Sequence, residues 1–251
     1  MISFAPDQLF LVTGASSGIG EAIALQLNAL GATVIATGRS REMLENNKSR
    51  AVNPDRFHVE PRDLTANMEI LPDWVKTLRE RYGKLSGLAH AAGKTLVSPL
   101  REYDLPTAHA LFDLLFHAPM LLAKGFADRR NSVGRGASMV FVCAASAVVP
   151  VPSLLVYASA KGALLSGARS MSAELAPRGI RVNCVSPALV KTAMQGDYAA
   201  LIGKEAFAQV EQGYPMGLGE PQDVASAVAY LLSAQAKWIT GQNMLLTGGW
   251  S

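Results

Sequence analysis

The sequence has few cysteines, few charged residues and no long hydrophobic run. Its two cysteines, Cys143 and Cys184, lie in apolar, strand-like segments. They are predicted to be buried free thiols in a reducing compartment, not a disulfide or a metal site. No apolar run approaches the ~20 residues that span a bilayer, and the start of the chain lacks basic residues and reaches Asp7 early, unlike a signal peptide. The cytoplasm is therefore the expected location, and no membrane partner is expected.

Charge is also sparse and evenly spread. Charged residues make up 17% of the chain and hydrophobic residues 49%, which excludes a disordered tail or a coiled coil. The formal charge of +3 comes from 23 basic and 20 acidic residues, and the nearest basic cluster is Asp128-Arg129-Arg130. That cluster is too small to predict nucleic-acid binding. The 251 residues contain no linker, low-complexity stretch or repeat, which favours a single domain over residues 1–251.

Short β-branched runs alternate with longer segments of helical periodicity. This alternation predicts an α/β fold with a doubly wound parallel sheet of the Rossmann type, whose ligands bind at the carboxyl ends of the strands. The predicted strands are Leu9–Gly14, Ala32–Gly38, Arg56–Glu60, Ser86–Gly93, Ser138–Cys143 and Ile180–Ser186. The predicted helices include Ile19–Leu30, Met68–Tyr82, Leu105–Arg129 and Tyr157–Ala176.

A glycine-rich segment, TGASSGIG, follows the first predicted strand. Glycines allow a tight turn there and let the backbone approach a pyrophosphate at a helix N-terminus. The spacing differs from the commoner G-x-G-x-x-G, and an ordinary glycine-rich turn is the alternative, but the position between the first strand and the first helix favours a dinucleotide site. The candidate binding residues are Gly14, Ser16, Ser17, Gly18, Ile19 and Gly20.

The end of the second predicted strand indicates which dinucleotide binds. An acidic residue there would accept hydrogen bonds from the adenine ribose 2′-hydroxyl and repel a phosphate. This chain has Gly38 followed by Arg39, whose guanidinium can pair with a 2′-phosphate. NADP(H) is therefore favoured, with NAD(H) as the runner-up if Arg39 is only a solvated surface arginine.

The segment YASAK places Tyr157 and Lys161 four residues apart, on one face of a helix. Free tyrosine has a pKa of ~10, so a tyrosinate near neutral pH needs about 4 kcal/mol of stabilisation, part of which a nearby ammonium can supply. Such a tyrosine could give a proton to a carbonyl being reduced or remove one from an alcohol being oxidised. A pair at this spacing also occurs by chance.

Several motifs in order, however, resemble the short-chain dehydrogenase/reductase family. They are the glycine-rich segment, RDL at Arg62–Leu64, AAG at Ala91–Gly93, YASAK, and NCVSPALVKTAM at Asn183–Met194. The similarity runs from about Leu9 to Gly249, and the segments Pro215–Ser233 and Ile239–Gly249 particularly resemble the 3-oxoacyl-carrier-protein reductase branch.

The resemblance implies roles for further residues. Asp63 and Leu64 would contact the adenine, and the Ala91-Ala92-Gly93 segment would lie against the cofactor. Tyr157 and Lys161 would also contact the cofactor, with Lys161 holding the nicotinamide ribose. The carboxamide would be lined by Pro187, Val190 and Thr192, and a lid over about residues 193–214 would cover the substrate. The alanines and the aromatic Tyr198, Phe207 and Tyr214 in that region suit a mostly apolar substrate, unless the aromatics only pack the lid against the body.

The chain departs from the family pattern at three positions. Ala91 replaces an asparagine that fixes the backbone after the fourth strand. Leu115 replaces an asparagine that in relatives helps to hold a water linking the lysine to solvent, and His117 is predicted to point away from that face of the helix. Ala144 stands 13 residues before Tyr157, where relatives have a serine.

The third departure leaves two alternatives. The catalyst could be weakened, or a loop shortened by two residues could bring Ser146, which stands 11 residues before Tyr157, into the place of the missing serine. Ser146 is the predicted donor to the carbonyl, and Ser153 is expected to sit farther out.

The resulting hypothesis is an NADP(H)-dependent oxidoreductase that interconverts a carbonyl and a secondary alcohol of a small molecule. Tyr157 is the predicted acid/base, assisted by Lys161 and Ser146. The rival is a dinucleotide-binding sensor or structural subunit with little turnover. Apolar surfaces on the helices predicted at Leu105–Arg129 and Tyr157–Ala176, together with the resemblance, imply a homo-oligomer, either a dimer or a tetramer.

Overall fold

The computed structural model describes residues 1–250, the side chain of Asp197 excepted. One parallel sheet of seven strands runs through these residues, in the order β3-β2-β1-β4-β5-β6-β7. The strands are β1 Leu9–Thr13, β2 Thr33–Thr37, β3 Phe57–Val59, β4 Gly87–His90, β5 Ser138–Val142, β6 Arg181–Pro187 and β7 Asn243–Leu246.

Helices cover both faces of the sheet, so the predicted doubly wound α/β fold is confirmed. The helices are α1 Gly18–Ala29, α2 Arg41–Arg50, α3 Leu71–Tyr82, α4 Leu105–Phe112, α5 Ala118–Ala127, α6 Leu155–Leu175, α7 Ala193–Ile202, α8 Lys204–Gln212 and α9 Pro221–Leu232. All six predicted strands are present, most of them one to three residues shorter than predicted. Strand β7 and helices α2, α7, α8 and α9 lie outside the predicted elements.

The alternation of side chains along β1 shows how the core is divided. Phe10 and Val12 pack on one face of the sheet, in the cluster that includes residues of α1 and α9. Leu9 and Leu11 pack on the other face, with α3, α5 and α6. Successive strand residues point to opposite faces, and both faces are buried here, so the strand is apolar at every position.

The long helix predicted at Leu105–Arg129 is interrupted in its middle. Residues Asp113–His117 form a π-helical turn, in which the Ala118 N–H donates to the carbonyl oxygen of Asp113. Pro119 follows directly and has no N–H for the carbonyl oxygen of Leu115, so an ordinary α-helical hydrogen bond is missing there. The π turn widens the helix at Leu115, which lies beside the candidate active site.

The same stretch, Leu105–Ala127, is the one described helix long and apolar enough to cross a membrane by length and composition. Its residues Leu122 and Phe126 are fully buried against the sheet in the second core cluster. Core helices of folded domains pass the same test, and the burial of these side chains accounts for part of the apolarity.

The strand order reverses between β1 and β4. The chain builds outward from β1 to β2 and β3, and then returns to place β4 on the other side of β1. In open α/β sheets the crevice at this reversal, at the carboxyl ends of the strands, is where ligands bind. Thr13 and His90 end these two strands in register with each other.

Candidate active site

Two adjoining cavities open at the carboxyl ends of the strands. The first, of about 530 Å³, is lined by the glycine-rich segment after β1 and is called the loop cavity. The second, of about 720 Å³, contains Tyr157 and is called the tyrosine cavity. Residues common to the two linings are Ile19, Ala91, Gly93, Lys94, Thr192 and Met194.

The loop cavity brings together most of the residues predicted to bind the dinucleotide. These are Gly14, Ser16, Ser17, Ile19, Gly20, Arg39, Asp63, Leu64, Ala91, Ala92, Gly93 and Thr192. Gly18 does not line either cavity; with φ of +57° it turns the chain into α1, and a methyl group there would come within 3.2 Å of Thr192 Cγ2. The sequence therefore predicted the composition of this cavity well, although the binding roles of these residues stay predictions.

Two glycines of the segment are required by close approach. Gly14 has φ of +69°, and a methyl group on it would lie 2.7 Å from the backbone nitrogen of Ala92. A methyl group on Gly20 would lie 2.2 Å from the carbonyl oxygen of Gly14. The segment thus packs its backbone tightly against β4 and leads into α1, whose N-cap Ser17 makes no side-chain capping hydrogen bond. The first N–H groups of α1 are left to bind an anion, so the residues fit a dinucleotide pyrophosphate.

The far end of the loop cavity is cationic. Arg39 is exposed there. Gly38 packs closely on the preceding loop, because a methyl group on it would lie 2.8 Å from Ser16 Oγ. Arg62, which the sequence analysis did not assign, also lines the cavity: its guanidinium lies 4.9 Å from the centre of the Trp74 ring, and its buried Nε has no partner within residues 1–250. Neither Arg39 nor Arg62 forms an ion pair with a carboxylate within residues 1–250.

Asp63 lines the same cavity and is bonded to the turn that follows it. Its Oδ1 accepts hydrogen bonds from the Thr65 backbone N–H at 2.8 Å and from the Thr65 hydroxyl at 2.7 Å. These bonds, with a smaller contribution from the charge of Arg39, hold the pKa of the Asp63 carboxyl below its usual range. The carboxylate therefore stays ionised and shapes the turn that carries Leu64 into the cavity.

Thr13 fixes the backbone that was expected to lack support at Ala91. Its Oγ1 accepts hydrogen bonds from the N–H groups of Ala91 and Ala92, both at 3.2 Å, and lies 2.9 Å from Nδ1 of His90. The Thr13 hydroxyl and the His90 imidazole thus share a hydrogen bond across the ends of β1 and β4, and this pair holds the segment beside the glycine loop.

Burial keeps His90 neutral. The side chain is fully buried, and this desolvation, with the nearby charge of Lys161, lowers the pKa of His90 to about 3. His90 is not among the predicted site residues; its position at the end of a buried strand, directly before AAG, was the available signal.

We expect His90 to make the protein less stable in acid. Between pH 6.5 and about 3 the unfolded chain protonates this histidine and the folded chain does not, so the free energy of unfolding falls as the pH falls, by up to ~1.4 kcal/mol per pH unit. Urea unfolding at pH 7, 6 and 5 measures the slope. His90→Gln should flatten it, and His109→Gln, at an exposed position, should not; equal slopes for the two variants would show that His90 is not responsible.

The tyrosine cavity brings together Tyr157, Lys161 and Ser146. Tyr157 and Lys161 lie one turn apart on α6, and Ser146 lies in the short 3₁₀ turn Ala145–Ala147 that follows β5. Pro187 and Val190, predicted to line the carboxamide, are also in the wall, with Thr192 at the start of α7. The loop between β5 and α6 thus places Ser146 in the same cavity as the tyrosine.

The pKa of Tyr157 is raised in the structure, whereas the ammonium of Lys161 was expected to lower it. Desolvation by burial raises the pKa of Tyr157 above its ordinary value. Lys161 is 4% exposed, and its Nζ donates a hydrogen bond of 2.7 Å to the carbonyl oxygen of Val142. Burial also lowers the pKa of Lys161, and with its own pKa raised the phenol of Tyr157 keeps its proton at neutral pH.

Ser146 carries an unsatisfied hydroxyl. Its Oγ is buried and has no hydrogen-bond partner within residues 1–250. Ala144 is 6% exposed and lines the same wall with a methyl group, which cannot donate a hydrogen bond. Ser153 also lines this cavity: its φ is +64°, and its carbonyl oxygen accepts a hydrogen bond of 2.7 Å from the Ser98 N–H. That it sits farther out than Ser146 stays a prediction.

Leu115 occupies the space beside Lys161. A methyl group added to Gly93 would come within 3.1 Å of Leu115 Cδ2 and 3.7 Å of Lys161 Nζ. Leu115 is fully buried, so this side of the ammonium faces hydrocarbon. His117 is exposed, as expected from its position on the helix.

The two cysteines are buried and free, as predicted. Cys143 follows β5 and lines the tyrosine cavity, and Cys184 lies in the neighbouring strand β6. Hydrogen bonding to Cys143 and burial raise the pKa of the Cys184 thiol, which therefore keeps its proton. Within residues 1–250, no group of three or more histidine, cysteine, aspartate or glutamate side chains is arranged to hold a metal ion.

The segment expected to form a lid folds into α7 and α8. Tyr198 and Tyr214 line the tyrosine cavity. Phe207 is buried and lies edge-on to Tyr198, with ring centres 6.3 Å apart. Of the three aromatics, two therefore reach the cavity and the third packs the helices together.

Comparisons with known proteins agree with this arrangement. A family model described as enoyl-(acyl carrier protein) reductase matches residues 14–251. A tropinone reductase homologue from Arabidopsis thaliana is 34% identical over 250 residues, covering 96% of this chain and 74% of its own length.

Solved structures agree in fold over almost the whole chain. A short-chain dehydrogenase/reductase from Brucella melitensis, described as glucose/ribitol dehydrogenase, has a TM-score of 0.91 at 27% identity, covering 100% of this chain and 99% of that one. A variant of actinorhodin polyketide ketoreductase, solved with NADPH, has a TM-score of 0.88 at 25% identity, covering 98% of each chain. With its glycine-rich loop, its Tyr157–Lys161 pair and a match that extends over nearly all of its length, the chain belongs to the short-chain dehydrogenase/reductase family of oxidoreductase enzymes.

Proposed function

We propose that the protein is an NADP(H)-dependent oxidoreductase that interconverts a carbonyl and a secondary alcohol of a small molecule. The observation that supports this most is the meeting of the two cavities. The glycine loop and Arg39 line one of them, and Tyr157, Lys161 and the unpartnered hydroxyl of Ser146 line the other.

In this proposal the cofactor spans the junction of the cavities. The first N–H groups of α1 and the glycine loop would bind the pyrophosphate, and Asp63 and Leu64 would contact the adenine. Lys161 would bind the nicotinamide ribose, since an ammonium has three N–H donors and the Val142 carbonyl occupies only one. When bound, the nicotinamide supplies or accepts the hydride.

The residues of the tyrosine cavity would handle the proton. A protonated phenol at Tyr157 can donate to the carbonyl oxygen of a substrate being reduced, which burial favours by raising its pKa. The Ser146 hydroxyl would give that oxygen a second hydrogen bond. Helices α7 and α8 would cover the substrate as a lid.

The preference for NADP(H) over NAD(H) rests on the cationic end of the loop cavity. Gly38 leaves no acidic side chain to repel a phosphate, and Ser16 Oγ lies against it. Arg39 and Arg62 both line this end and form no ion pair within the described residues, although the Asp63 carboxylate lines the same cavity. A 2′-phosphate would pair with these two guanidiniums.

Arg39→Ala should weaken NADPH binding by about 1.5–3 kcal/mol, or roughly 10- to 150-fold, because a charge-assisted hydrogen bond to the phosphate is lost. NADH binding should hardly change. The matched control is Arg41→Ala, because Arg41 pairs with Glu45 on α2 and does not line the cavity. Isothermal titration calorimetry with both cofactors measures the effect, and equal losses for NADPH and NADH would overturn the assignment.

The main alternative is a dinucleotide-binding sensor or structural subunit with little turnover. Leu115, Ala91 and Ala144 favour it, and the intact Tyr157–Lys161 pair opposes it. Oxidation of NADPH with a panel of ketones and aldehydes separates the two. Turnover with at least one carbonyl supports the enzyme, and tight NADPH binding without oxidation across the panel supports the sensor. A dimer or a tetramer, built on α4–α6, stays part of the proposal.

A further inference from the structure

The tyrosine cavity has an aromatic wall in which Trp250, a residue not among the predicted ones, joins the expected Tyr214. Trp250 stacks on Tyr214, with ring centres 5.9 Å apart and ring planes inclined by 7°. Both residues line the cavity, and Tyr214 is 6% exposed. The hydroxyl of Tyr214 is fixed in turn by the Leu189 N–H at 3.4 Å. A stacked aromatic pair therefore forms one side of the cavity.

The chain after β7 is folded to place Trp250 there. Gly248 and Gly249 have φ of +59° and +85°, conformations that other residues rarely adopt. The carbonyl oxygen of Gly248 accepts a hydrogen bond of 3.1 Å from the backbone N–H of Met216. The backbone N–H of Trp250 donates one of 3.1 Å to the carbonyl oxygen of Thr247. Two glycines thus turn the chain back toward Pro215 and Tyr214, so that the indole closes the cavity.

The rest of the wall is mostly hydrocarbon and carries little charge. Val97, Val151, Leu154, Leu189, Met194 and Ile202 are among the lining residues. The lining includes no carboxylate among the described residues. Its two cations are Lys94, which is exposed, and Lys161, which is buried and bonded to Val142. A cationic substrate group would lose water here without gaining an ion-pair partner, and an anionic group deep in the cavity would meet only an ammonium that Val142 already engages.

The cavity is large enough for a bulky substrate. Its volume of about 720 Å³ is in the range of pockets that bury drug-sized ligands, ~300–1,000 Å³, and it exceeds what a nicotinamide and a small ketone would fill. A sugar could fill the space but carries a hydroxyl on almost every carbon, and each buried hydroxyl without a partner weakens binding.

We propose that this cavity selects a bulky, uncharged ketone, or the corresponding secondary alcohol, whose aromatic or fused-ring body lies against the Tyr214–Trp250 wall. The inference rests on the proposed function for the reaction at the carbonyl. It adds the class of substrate and identifies Trp250 as a residue that determines specificity.

Kinetics with three carbonyl compounds test the substrate class: 2-tetralone, which is bulky and apolar, cyclohexanone, which is small and apolar, and D-xylose, which is polar. We expect kcat/KM for 2-tetralone to exceed that for cyclohexanone at least ten-fold and that for D-xylose at least a hundred-fold. D-Xylose turned over better than 2-tetralone would overturn the proposed class and leave the oxidoreductase function standing.

Two tryptophan variants test the wall. Trp250→Ala should lower kcat/KM for 2-tetralone about ten-fold, mainly through KM, and change that for cyclohexanone less than three-fold. Trp238→Ala is the matched control, because Trp238 is 95% exposed and lies outside the cavity. Trp250→Phe keeps an aromatic ring and should retain most of the activity. Equal effects of Trp250→Ala and Trp238→Ala would contradict a role for the wall.

Calorimetric binding of 2-tetralone to the protein with NADP⁺ gives a readout that does not depend on turnover. If no carbonyl is reduced but 2-tetralone binds, and Trp250→Ala weakens that binding ten-fold, the proposed reaction fails and the substrate-binding inference holds. If 2-tetralone does not bind while smaller ketones are reduced, the substrate-binding inference fails and the reaction holds.

Discussion

Tyr157→Phe should lower kcat for carbonyl reduction by about 10³-fold, the usual range for a positioned proton donor being ~10²–10⁴. The substitution removes one hydroxyl from α6 and leaves the ring in the cavity wall. The half-buried phenol has a raised pKa and is protonated at neutral pH, so the wild-type rate of reduction should be flat around neutrality and fall at high pH, where the proton is lost.

Steady-state kinetics of NADPH oxidation measure this loss. NADPH affinity should change less than about three-fold, because the glycine loop and Arg39 are untouched. Tyr230→Phe is the matched control, since Tyr230 lies on α9 and outside both cavities. If Tyr157→Phe keeps more than a tenth of the wild-type rate, another group donates the proton.

Ser146→Ala should lower kcat at least ten-fold, and toward 10²-fold if the hydroxyl is well aligned with the developing oxyanion. The Ser146 hydroxyl is buried without a partner, so its removal deletes no hydrogen bond within the described protein. We therefore expect unchanged thermal stability and unchanged NADPH binding. A loss of activity without either structural effect would identify the serine as a donor to the substrate.

Ser153→Ala is the comparison that decides between the two serines of the cavity. Ser153 lines the same wall, and its left-handed backbone is held by the hydrogen bond from Ser98. If Ser153→Ala lowers kcat and Ser146→Ala does not, the donor has been assigned to the wrong residue. If neither variant loses activity while Tyr157→Phe is inactive, the tyrosine works without a serine.

Features carried by short local patterns could be predicted from the sequence. The glycine-rich segment, Arg39 and the Tyr157–Lys161 pair depend on a strand-to-helix turn, a strand end and one helical turn. Each is specified by residues close in the chain. The parallel sheet followed in the same way from the alternation of apolar strands and helices.

Features that depend on contacts between distant residues could not be predicted from the sequence. The contact between Thr13 and His90 joins residues 77 positions apart, and the stack of Tyr214 on Trp250 requires the turn after β7. Burial changed the expected chemistry as well, because the sequence indicated a cation beside Tyr157 but not the Val142 carbonyl that engages it. The π turn at Leu115 had a local signal, Pro119, which helical periodicity alone did not use.

The transfer of deuterium from the cofactor tests the proposed reaction most directly. The protein is incubated with 2-tetralone or cyclohexanone and NADPH deuterated at C4, in separate reactions with each C4 epimer, and the alcohol is analysed by mass spectrometry. We predict that deuterium from one epimer only appears on the carbinol carbon, and that Tyr157→Phe forms almost no alcohol. Tight binding of NADPH with no deuterated alcohol from either ketone, or from the wider carbonyl panel, would contradict the oxidoreductase account and support a dinucleotide-binding sensor.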